Sequence, residues 1–570
     1  MLRELAELTM LEEEDPQSFR VRAYQSAASA IETLGRDPGT LSAKELQQIE
    51  GIGKSTAEKI RELCDSGKVA KLEMLRQKHP PGVVALLRLQ GLGPKALGRL
   101  RKELGVQSID DLRGVIASHA LRTLRGFGPK SEENFARAIA RLEAQGAVGR
   151  TPISVAHPLA ARIMARLREV EGVVEVTACG SLRRFSETVG DVDIIVAASV
   201  AAPVMDALVA MPAAERVLAK GDTKTSIVTH RGTQVDVRVV APHQLGAALL
   251  YFTGSKGHNI KLRQRALARG MTLNEYALSE IEGGRVVASE TEEAIYAALG
   301  LPFIRPVLRE DGGEIEAAEA GTLPQPIGAV IGDFHVHTTV STDAQSTLDE
   351  IIAAAMARGV RVLAITEHAE GTRAGVGREA LLAQRARIIE RQAALGDSLR
   401  LLHGIELNIG PAGELDYDLA FRSQFDWCLA SVHDHFDLDR VAQTRRVLTA
   451  MADPTVRMIG HLSARMIGGR APIELDMDAV YTAAELTGTA LEVNGALPRL
   501  DLSVEHLRRG RERAVPFMLT SDAHVTDELG RVDFARLNAE RAWIDPARVL
   551  NAGPVDRLLD WVREKRAPDS

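Results

Sequence analysis

Asp191 and Asp193 stand two residues apart inside the apolar run Val192, Ile194, Ile195, Val196, and that alternation constrains the fold more than any other feature of the chain. In an extended strand residues i and i+2 point to the same face, so both carboxylates look into one site. Asp236, alone in Thr233-Gln-Val-Asp-Val-Arg-Val-Val240, can join them from a neighbouring strand. Three clustered carboxylates repel one another unless a cation holds them together. Oxygen-only ligation suits Mg²⁺ or Mn²⁺. Two such ions stabilise the attacking and leaving oxygens of phosphoryl transfer. A solvated turn is the competing reading of a lone Asp-x-Asp. Gly180-Ser181, nine residues upstream, and the third Asp weigh against it.

A chain of 570 residues predicts three to five domains, each able to bury a core. Aromatic residues make up only 4%, which argues against base recognition by an extended stacking platform. The net charge of −7 argues against a uniformly basic nucleic-acid binder. The charge is uneven, however. Residues 1–150 hold 24 Lys+Arg against 20 Asp+Glu, a net of +4, which leaves −11 for the rest. A mildly basic front and an acidic, metal-ready back fit that split. Cys64, Cys179 and Cys428 lie far apart with no Cys-x-x-Cys pair, so a reducing compartment is expected and zinc knuckles are not. The acidic helical start is unlike a signal peptide, and the longest apolar run is too short to span a bilayer. A cytoplasmic monomer without membrane contact is the expectation.

Residues 1–150 read as short helices, with Leu and Ala at helical spacing. Three glycine hairpins punctuate them: Gly51-Ile-Gly53-Lys54, Gly91-Leu-Gly93-Pro-Lys95 and Gly126-Phe-Gly128-Pro-Lys130. A Gly-x-Gly turn opening a helix presents backbone N–H groups and a positive helix end, which hold a phosphate without reading a base. Three such turns, each with Lys within two residues, point to the DNA backbone rather than to ordinary helix links. They resemble helix-hairpin-helix motifs. From 151 to 240 the pattern turns to strands with a few helices, and 241–308 reads as helices and short turns. Gly312 to Gly328 lacks periodicity and reads as a linker. Beyond it strands alternate with helices, the pattern of an α/β domain with a parallel sheet or barrel.

Residues 1–308 resemble the family X DNA polymerases, the group of DNA polymerase beta. Gly180-Ser181-Leu-Arg-Arg184 followed by Thr188-Val-Gly190-Asp-Val-Asp193 is similar to that family's palm signature. Tyr251-Phe252-Thr-Gly254-Ser255 is similar to its nucleotide-pocket signature. The block after 330 resembles a PHP (polymerase and histidinol phosphatase) domain, and the order is that of the bacterial PolX enzymes. The resemblance implies helix-hairpin-helix domains at 1–85 and 86–150, an α+β nucleotidyltransferase palm at 151–240, a thumb at 241–310, a linker at 311–329 and a distorted PHP barrel at 330–570. It implies that Asp191, Asp193 and Asp236 bind a metal pair and that Asp236 takes the primer hydroxyl's proton. Gly180, Ser181, Arg184 and Gly190 would meet the triphosphate of a dNTP, with Lys256 and His258 as further contacts. Tyr251 and Phe252, beside Gly254 and Ser255, would wall the sugar. Asn259 would reach the base and Arg263 the template. Core packing is the competing reading for Tyr251 and Phe252, and a solvated helix position for Arg263. Lys59 falls where animal repair relatives carry a Schiff-base lysine; a solvated lysine is the alternative.

Nine of the 15 histidines lie after residue 330. His335, His337, His368, His433, His461 and His524 fall in PHP-like contexts, most just after apolar strand-like segments, with Glu406, Asp522 and Asp343 as carboxylates. His403, His435 and His506 match no motif. Mixed His and carboxylate ligation suits Zn²⁺, Mn²⁺ or Fe²⁺, and nine ligands can hold up to three ions. Two positions depart from the PHP pattern. Thr366-Glu367-His368 replaces Thr-Asp-His, and Asp343 sits one residue from its usual place. Arg465, Arg470 and Arg499 are candidate phosphate contacts. The resulting expectation is a polymerase that fills short gaps in nicked or gapped DNA, as in base excision repair, joined to a Mn²⁺-dependent 3′–5′ exonuclease. A phosphoesterase whose front half only grips DNA, and a non-catalytic scaffold, are the alternatives.

Overall fold

The computed structural model describes residues 1–13, 15, 18–33, 38–49, 51–79, 81–86, 92–124, 126–145 and 150–564. Gly91, expected in the second hairpin, lies outside them. The chain forms two compact units, Met1–Gly149 and Arg150–Ser570.

The first unit carries helices joined by short turns, with no strand among its described residues. Its core is mostly aliphatic, built from Leu5, Leu8, Leu46, Leu75, Leu97, Leu100 and Leu112 among others. Short helices pack here because each carries its own stop. Left-handed Gly67 and Gly105 end Lys54–Ser66 and Pro94–Leu104. Ser42 and Glu45 form a reciprocal cap on Ala43–Gln47.

In the second unit a five-stranded sheet comes first. Its spatial order is Val173–Ala178, Val192–Ala198, Gln234–Val240, Lys224–Thr229, Ala214–Lys220. Only the pairing of Val192–Ala198 with Gln234–Val240 is parallel; its neighbours run antiparallel. The edge strand Ala214–Lys220 escapes a sequence reading because most of its side chains, Val217 and Leu218 included, face solvent. The segment 241–308 also holds three short antiparallel strands, Met271–Leu273, Leu278–Glu280 and Val286–Ala288. At three residues each they are too short to display alternation.

The segment read as a linker is folded. It carries the helix Glu314–Ala320, whose Ile315 and Ala318 enter the same core as Ile194, Leu262 and Tyr296. Apolar residues three apart, rather than overall composition, decide its fate.

The C-terminal part winds seven parallel strands in chain order: Gly332–Asp333, Val362–His368, Arg400–Asn408, Trp427–Ser431, Val456–Gly460, Ala490–Asn494 and Phe517–Thr520. A parallel bridge between Val336 and Ala523 brings the two ends together, so the sheet nearly closes into a barrel. The strands are buried on both faces, hence their largely apolar sequences. The barrel packs directly on the preceding sheet region. Leu497 and Leu500 belong to that region's core, with Ile467, Phe534 and Leu537 against it. Arg465 reaches across to Glu187 with two hydrogen bonds of 2.9 and 3.0 Å. Arg305 pairs with Glu540 on the barrel's helix Val532–Arg541.

Candidate active sites

The parallel pairing sets Asp193 directly opposite Asp236. With Asp191 they offer carboxylate oxygens within 4.8 Å of one another. Gly180 permits this closeness. Its φ is +60°, and a Cβ there would lie 2.5 Å from Asp193 Oδ2. A side chain at 180 would therefore displace the carboxylate. Burial, followed by the charges of Asp191 and Asp236, pushes the Asp193 carboxyl up to about 7. Burial acts the same way on Asp236, but hydrogen bonds from Lys224, Ser226 and Gln234 outweigh it and hold Asp236 below the usual range. Lys224 Nζ lies 2.7 Å from Asp236 Oδ2. The neighbours thus keep Asp236 ionised, while at Asp193 burial and the two acids outweigh the positive charges of Lys224 and Arg184, a deficit that a divalent cation would make good.

Around this cluster stand the expected nucleotide residues. Ser181 follows Gly180 in the first turn of the short helix Gly180–Arg183, and Gly190 is exposed next to Asp191. Arg184 donates through Nη1 to the Thr253 carbonyl at 2.6 Å and through Nε to Glu310 at 3.1 Å. Tyr251 and Phe252 meet edge to face with centroids 5.0 Å apart, and the Arg238 guanidinium lies over Phe252 at 4.9 Å. Gly254 ends one helix with φ +71°, and Ser255 caps the next, Lys256–Ala268. Tyr251, Asn259, Arg263 and Asn274 line one small cavity with Ala247, Leu250 and Leu273. Asn259 Nδ2 donates to the Tyr251 carbonyl at 2.7 Å. Lys256 is exposed at the helix start.

His258 does not join them. It is fully buried, with Nδ1 2.6 Å from Glu314 and Nε2 2.7 Å from the Tyr296 hydroxyl. Both ring nitrogens are engaged, so it ties the supposed linker to the thumb-like core and offers a phosphate nothing.

In the helical unit, Gly53 and Gly93 are the caps of Lys54–Ser66 and Pro94–Leu104, and Gly128 directly precedes Pro129–Gln145. Gly51 and Gly126 take φ +90° and +93°, the left-handed turn that glycine allows. Lys54, Lys95 and Lys130 are all exposed at these helix starts. Lys59 donates to Ser55 Oγ at 2.7 Å, and its amine sits 5.8 Å from the Tyr24 ring.

The second cluster is built from strand ends. His335 and His337 follow Gly332–Asp333. His368 ends its strand, Glu406 lies near the end of the next, and His433, His461, Asp522 and His524 follow theirs by one to four residues. Parallel strands all finish at one mouth of a barrel, so these residues converge. Glu406 is the hub. Its oxygens lie 2.7 Å from His368 Nδ1, 3.1 Å from His461 Nε2, 3.2 Å from His433 Nε2 and 3.3 Å from His335 Nε2. Asp522 lies 3.6 Å from both His335 and His337. His337 is stacked between His368 and His524 at centroid distances of 4.2 and 4.3 Å. Four groups of three possible ligands result, overlapping at His335, His337, His368 and Glu406.

Asp343 belongs to this cluster despite its displaced position, with Oδ2 3.3 Å from His368 and 3.5 Å from His524. Burial and the charge of His368 push His337 down to about 3. Burial also opposes a charge on His368, yet Glu406 and Asp343 raise it to about 10. Both ring nitrogens of His337 are buried without a hydrogen-bond partner. Buried imidazoles converging on a shared carboxylate are the donor set of divalent transition metals, so the residues fit the ions expected here. His461 and Asp522 hold φ of 22° and 53°, strain of the kind that accumulates at functional sites.

Two carboxylates beyond the expected ligands organise the cluster. Glu492 accepts from His335 Nδ1 and Thr520 Oγ1, each at 2.6 Å, and so aims the other nitrogen of His335 inward. A lone acid in the apolar strand Ala490–Asn494 was the available signal. Glu367 is buried and points away from the ligands. It accepts from the hydroxyls of Thr338 and Ser341 at 2.5 Å each, fastening the loop between His337 and Asp343. The longer acid in Thr-Glu-His is thus a loop anchor. Of the three arginines, Arg465 is committed to Glu187. Arg470 donates to the Ala464 carbonyl and stacks on Phe436 at 3.9 Å. Arg499 lies 3.8 Å from Asp522 with a buried, unpartnered Nη1.

Helix-hairpin-helix units, a carboxylate-bearing mixed sheet and a histidine-rich barrel together define a nucleic-acid polymerase that carries its own phosphoesterase. Family profiles agree in order: Helix-hairpin-helix domain over 1–69, SAM-like helix-hairpin-helix tandem over 83–140, DNA polymerase beta palm over 150–231, DNA polymerase beta thumb over 248–310 and PHP domain over 333–495. The DNA polymerase/3′-5′ exonuclease PolX of Bacillus subtilis is 37% identical over 538 residues, covering 94% of this chain and 93% of its own. The DNA polymerase lambda of Rattus norvegicus is 26% identical over 51% of this chain and 52% of its own. A probable phosphatase of Edwardsiella ictaluri is 30% identical over 41% of this chain and 95% of its own. The chain belongs to the bacterial PolX family, the family X DNA polymerases with a C-terminal PHP domain. Among the described residues no helix is long and apolar enough to cross a membrane.

Proposed function

We propose that this DNA polymerase fills short gaps during DNA repair at the Asp191–Asp193–Asp236 site and trims 3′ ends at the barrel mouth. The observation that carries the reading is the pairing of Asp193 opposite Asp236, with Asp191 in reach. These three carboxylates would hold Mg²⁺ or Mn²⁺, and Asp236 receives the primer hydroxyl's proton. The bound cations supply charge stabilisation for phosphoryl transfer. Arg184 and Ser181 hold the triphosphate oxygens, Arg184 through a guanidinium shaped for them. Tyr251 and Phe252 wall the sugar, Asn259 faces the base and Arg263 the template. At the barrel mouth, the six histidines with Asp343, Glu406 and Asp522 would hold up to three ions of Mn²⁺, Zn²⁺ or Fe²⁺. Arg499 takes the scissile phosphate.

A one-nucleotide gapped duplex given dNTPs and Mn²⁺ should be extended by one residue. The same primer without dNTPs should shorten from its 3′ end, and EDTA should stop both. Shortening without any extension would leave only a nuclease whose front half grips DNA.

Lys54, Lys95 and Lys130 would contact phosphates at three helix starts. Changing all three to Gln should weaken binding equally on unrelated sequences. It should also flatten the slope of log K against log salt by about 2 to 3, near 0.9 per lost contact. Titration of labelled gapped DNA at several salt concentrations reads both.

A further inference from the structure

The barrel domain reaches the polymerase's nucleotide pocket through one shared carboxylate. Helix Val532–Arg541 lies along the seam. Its Phe534 stacks on Phe185 at 5.7 Å and meets His157 at 4.9 Å. At its end, Arg541 Nη2 donates to Glu310 Oε1 at 2.8 Å and to Ser186 Oγ at 3.3 Å. The same Glu310 oxygen accepts Arg184 Nε at 3.1 Å. All three side chains are largely buried: Arg184 and Arg541 are 14% exposed and Glu310 18%. A third guanidinium, Arg508, donates to the Arg541 carbonyl at 3.3 Å. Burial alone would favour a neutral Glu310, yet Arg541 and Arg184 hold its carboxyl below the usual range.

One carboxylate therefore serves two guanidiniums from different domains. A buried carboxylate facing a single arginine closes on it with both oxygens, because the pair has no other source of neutralisation. Here both guanidiniums meet on Oε1 and Arg184 reaches it through Nε alone, so the two-oxygen clamp is not formed. We infer that Arg541, a residue of the nuclease domain, positions Arg184 for the incoming nucleotide by occupying Glu310. Without it, Glu310 clamps Arg184 and draws its remaining donors away from the triphosphate. Arg541 bonds Ser186, Glu310 and Arg508, none of them a candidate metal ligand, so its effect falls on nucleotide binding and not on the barrel's own chemistry. The inference rests on the proposed role of Arg184.

The test uses full-length protein on a one-nucleotide gapped duplex at saturating metal. KM and kcat for the correct dNTP are measured for Arg541→Met, Arg541→Lys and Arg184→Ala. The 3′-end nuclease rate of each preparation serves as a check on folding, and Arg541→Gln replaces the Met variant if that one does not fold. Arg541→Met should raise KM about tenfold with kcat within about twofold, a size typical of coupling between sites. Its nuclease rate should be unchanged. Arg541→Lys restores the charge and should return KM to within about twofold of the parent. A parental KM in Arg541→Met, alongside a raised KM in Arg184→Ala, overturns the inference and leaves the pocket reading standing. Equal rises in the Met and Lys variants, with nuclease loss, assign Arg541 to packing and also overturn it. A parental KM in Arg184→Ala removes the pocket reading itself and the inference with it.

Discussion

Asp193→Asn should abolish nucleotide addition, a drop of at least about a thousandfold or roughly 4 kcal/mol in the barrier, while the 3′-end nuclease of the same preparation keeps its rate. The substitution keeps shape and volume, so the close approach to Gly180 and the apolar strand around it survive. It removes the charge that completes the cation site. Burial and its two acidic neighbours push the Asp193 carboxyl up to about 7. A cation binds the ionised form, so acidification competes with the metal. At subsaturating Mg²⁺, nucleotide addition by the parent should therefore fall as pH drops from about 8 to about 6, and saturating Mg²⁺ should abolish the fall. A pH-independent rate at limiting metal would mean that Asp193 is not a ligand. Measurable extension by Asp193→Asn at high metal would mean that two carboxylates suffice.

Asp191 and Asp193 were legible because a strand repeats every two residues and their neighbours are apolar on both sides. The barrel ligands were legible because parallel strands deliver their ends to one mouth, so a His after each apolar run is a positional statement. What escaped depends on partners distant in the chain. His258 follows the pocket motif closely, yet its partners Glu314 and Tyr296 lie 56 and 38 residues away. Helical phase gave a warning. Lys256, Asn259 and Arg263 fall three and four residues apart on one face, while a step of two from Lys256 turns about 200° to the opposite side. Asp343 stands one residue from the motif position, but a loop pinned by Glu367 through Thr338 and Ser341 sets its place, and residue spacing does not record the loop's path. Arg541 carried no motif at all. Its importance arises only from the seam that sets it beside Glu310, 231 residues away.

Glu406→Gln should remove the 3′-end nuclease by at least about a thousandfold and leave nucleotide addition within about twofold. Glu406 is fully buried and lies within 3.6 Å of His335, His337, His368, His433 and His461. Burial acts to raise its carboxyl, but His335, His433 and His368 hold it well below the ordinary carboxylate value. A neutral amide of the same size withdraws the one charge that all of them share. The imidazoles then face each other in a buried site without an anion at its centre, and metal retention falls with them. Metal analysis of the purified variant should show fewer ions per chain than the parent. His337→Ala should act similarly, because it opens the stack between His368 and His524 without altering Glu406. The polymerase should tolerate both changes, since the seam is formed by Arg465, Phe534, Glu540 and Arg541, none of which contacts Glu406 directly. Loss of both activities in a variant with a parental melting curve would show that the barrel's ions act on the polymerase through that seam. Retention of the nuclease with a reduced metal count would move the chemistry to the ligands that Glu406 does not touch, Asp343 and His524 foremost.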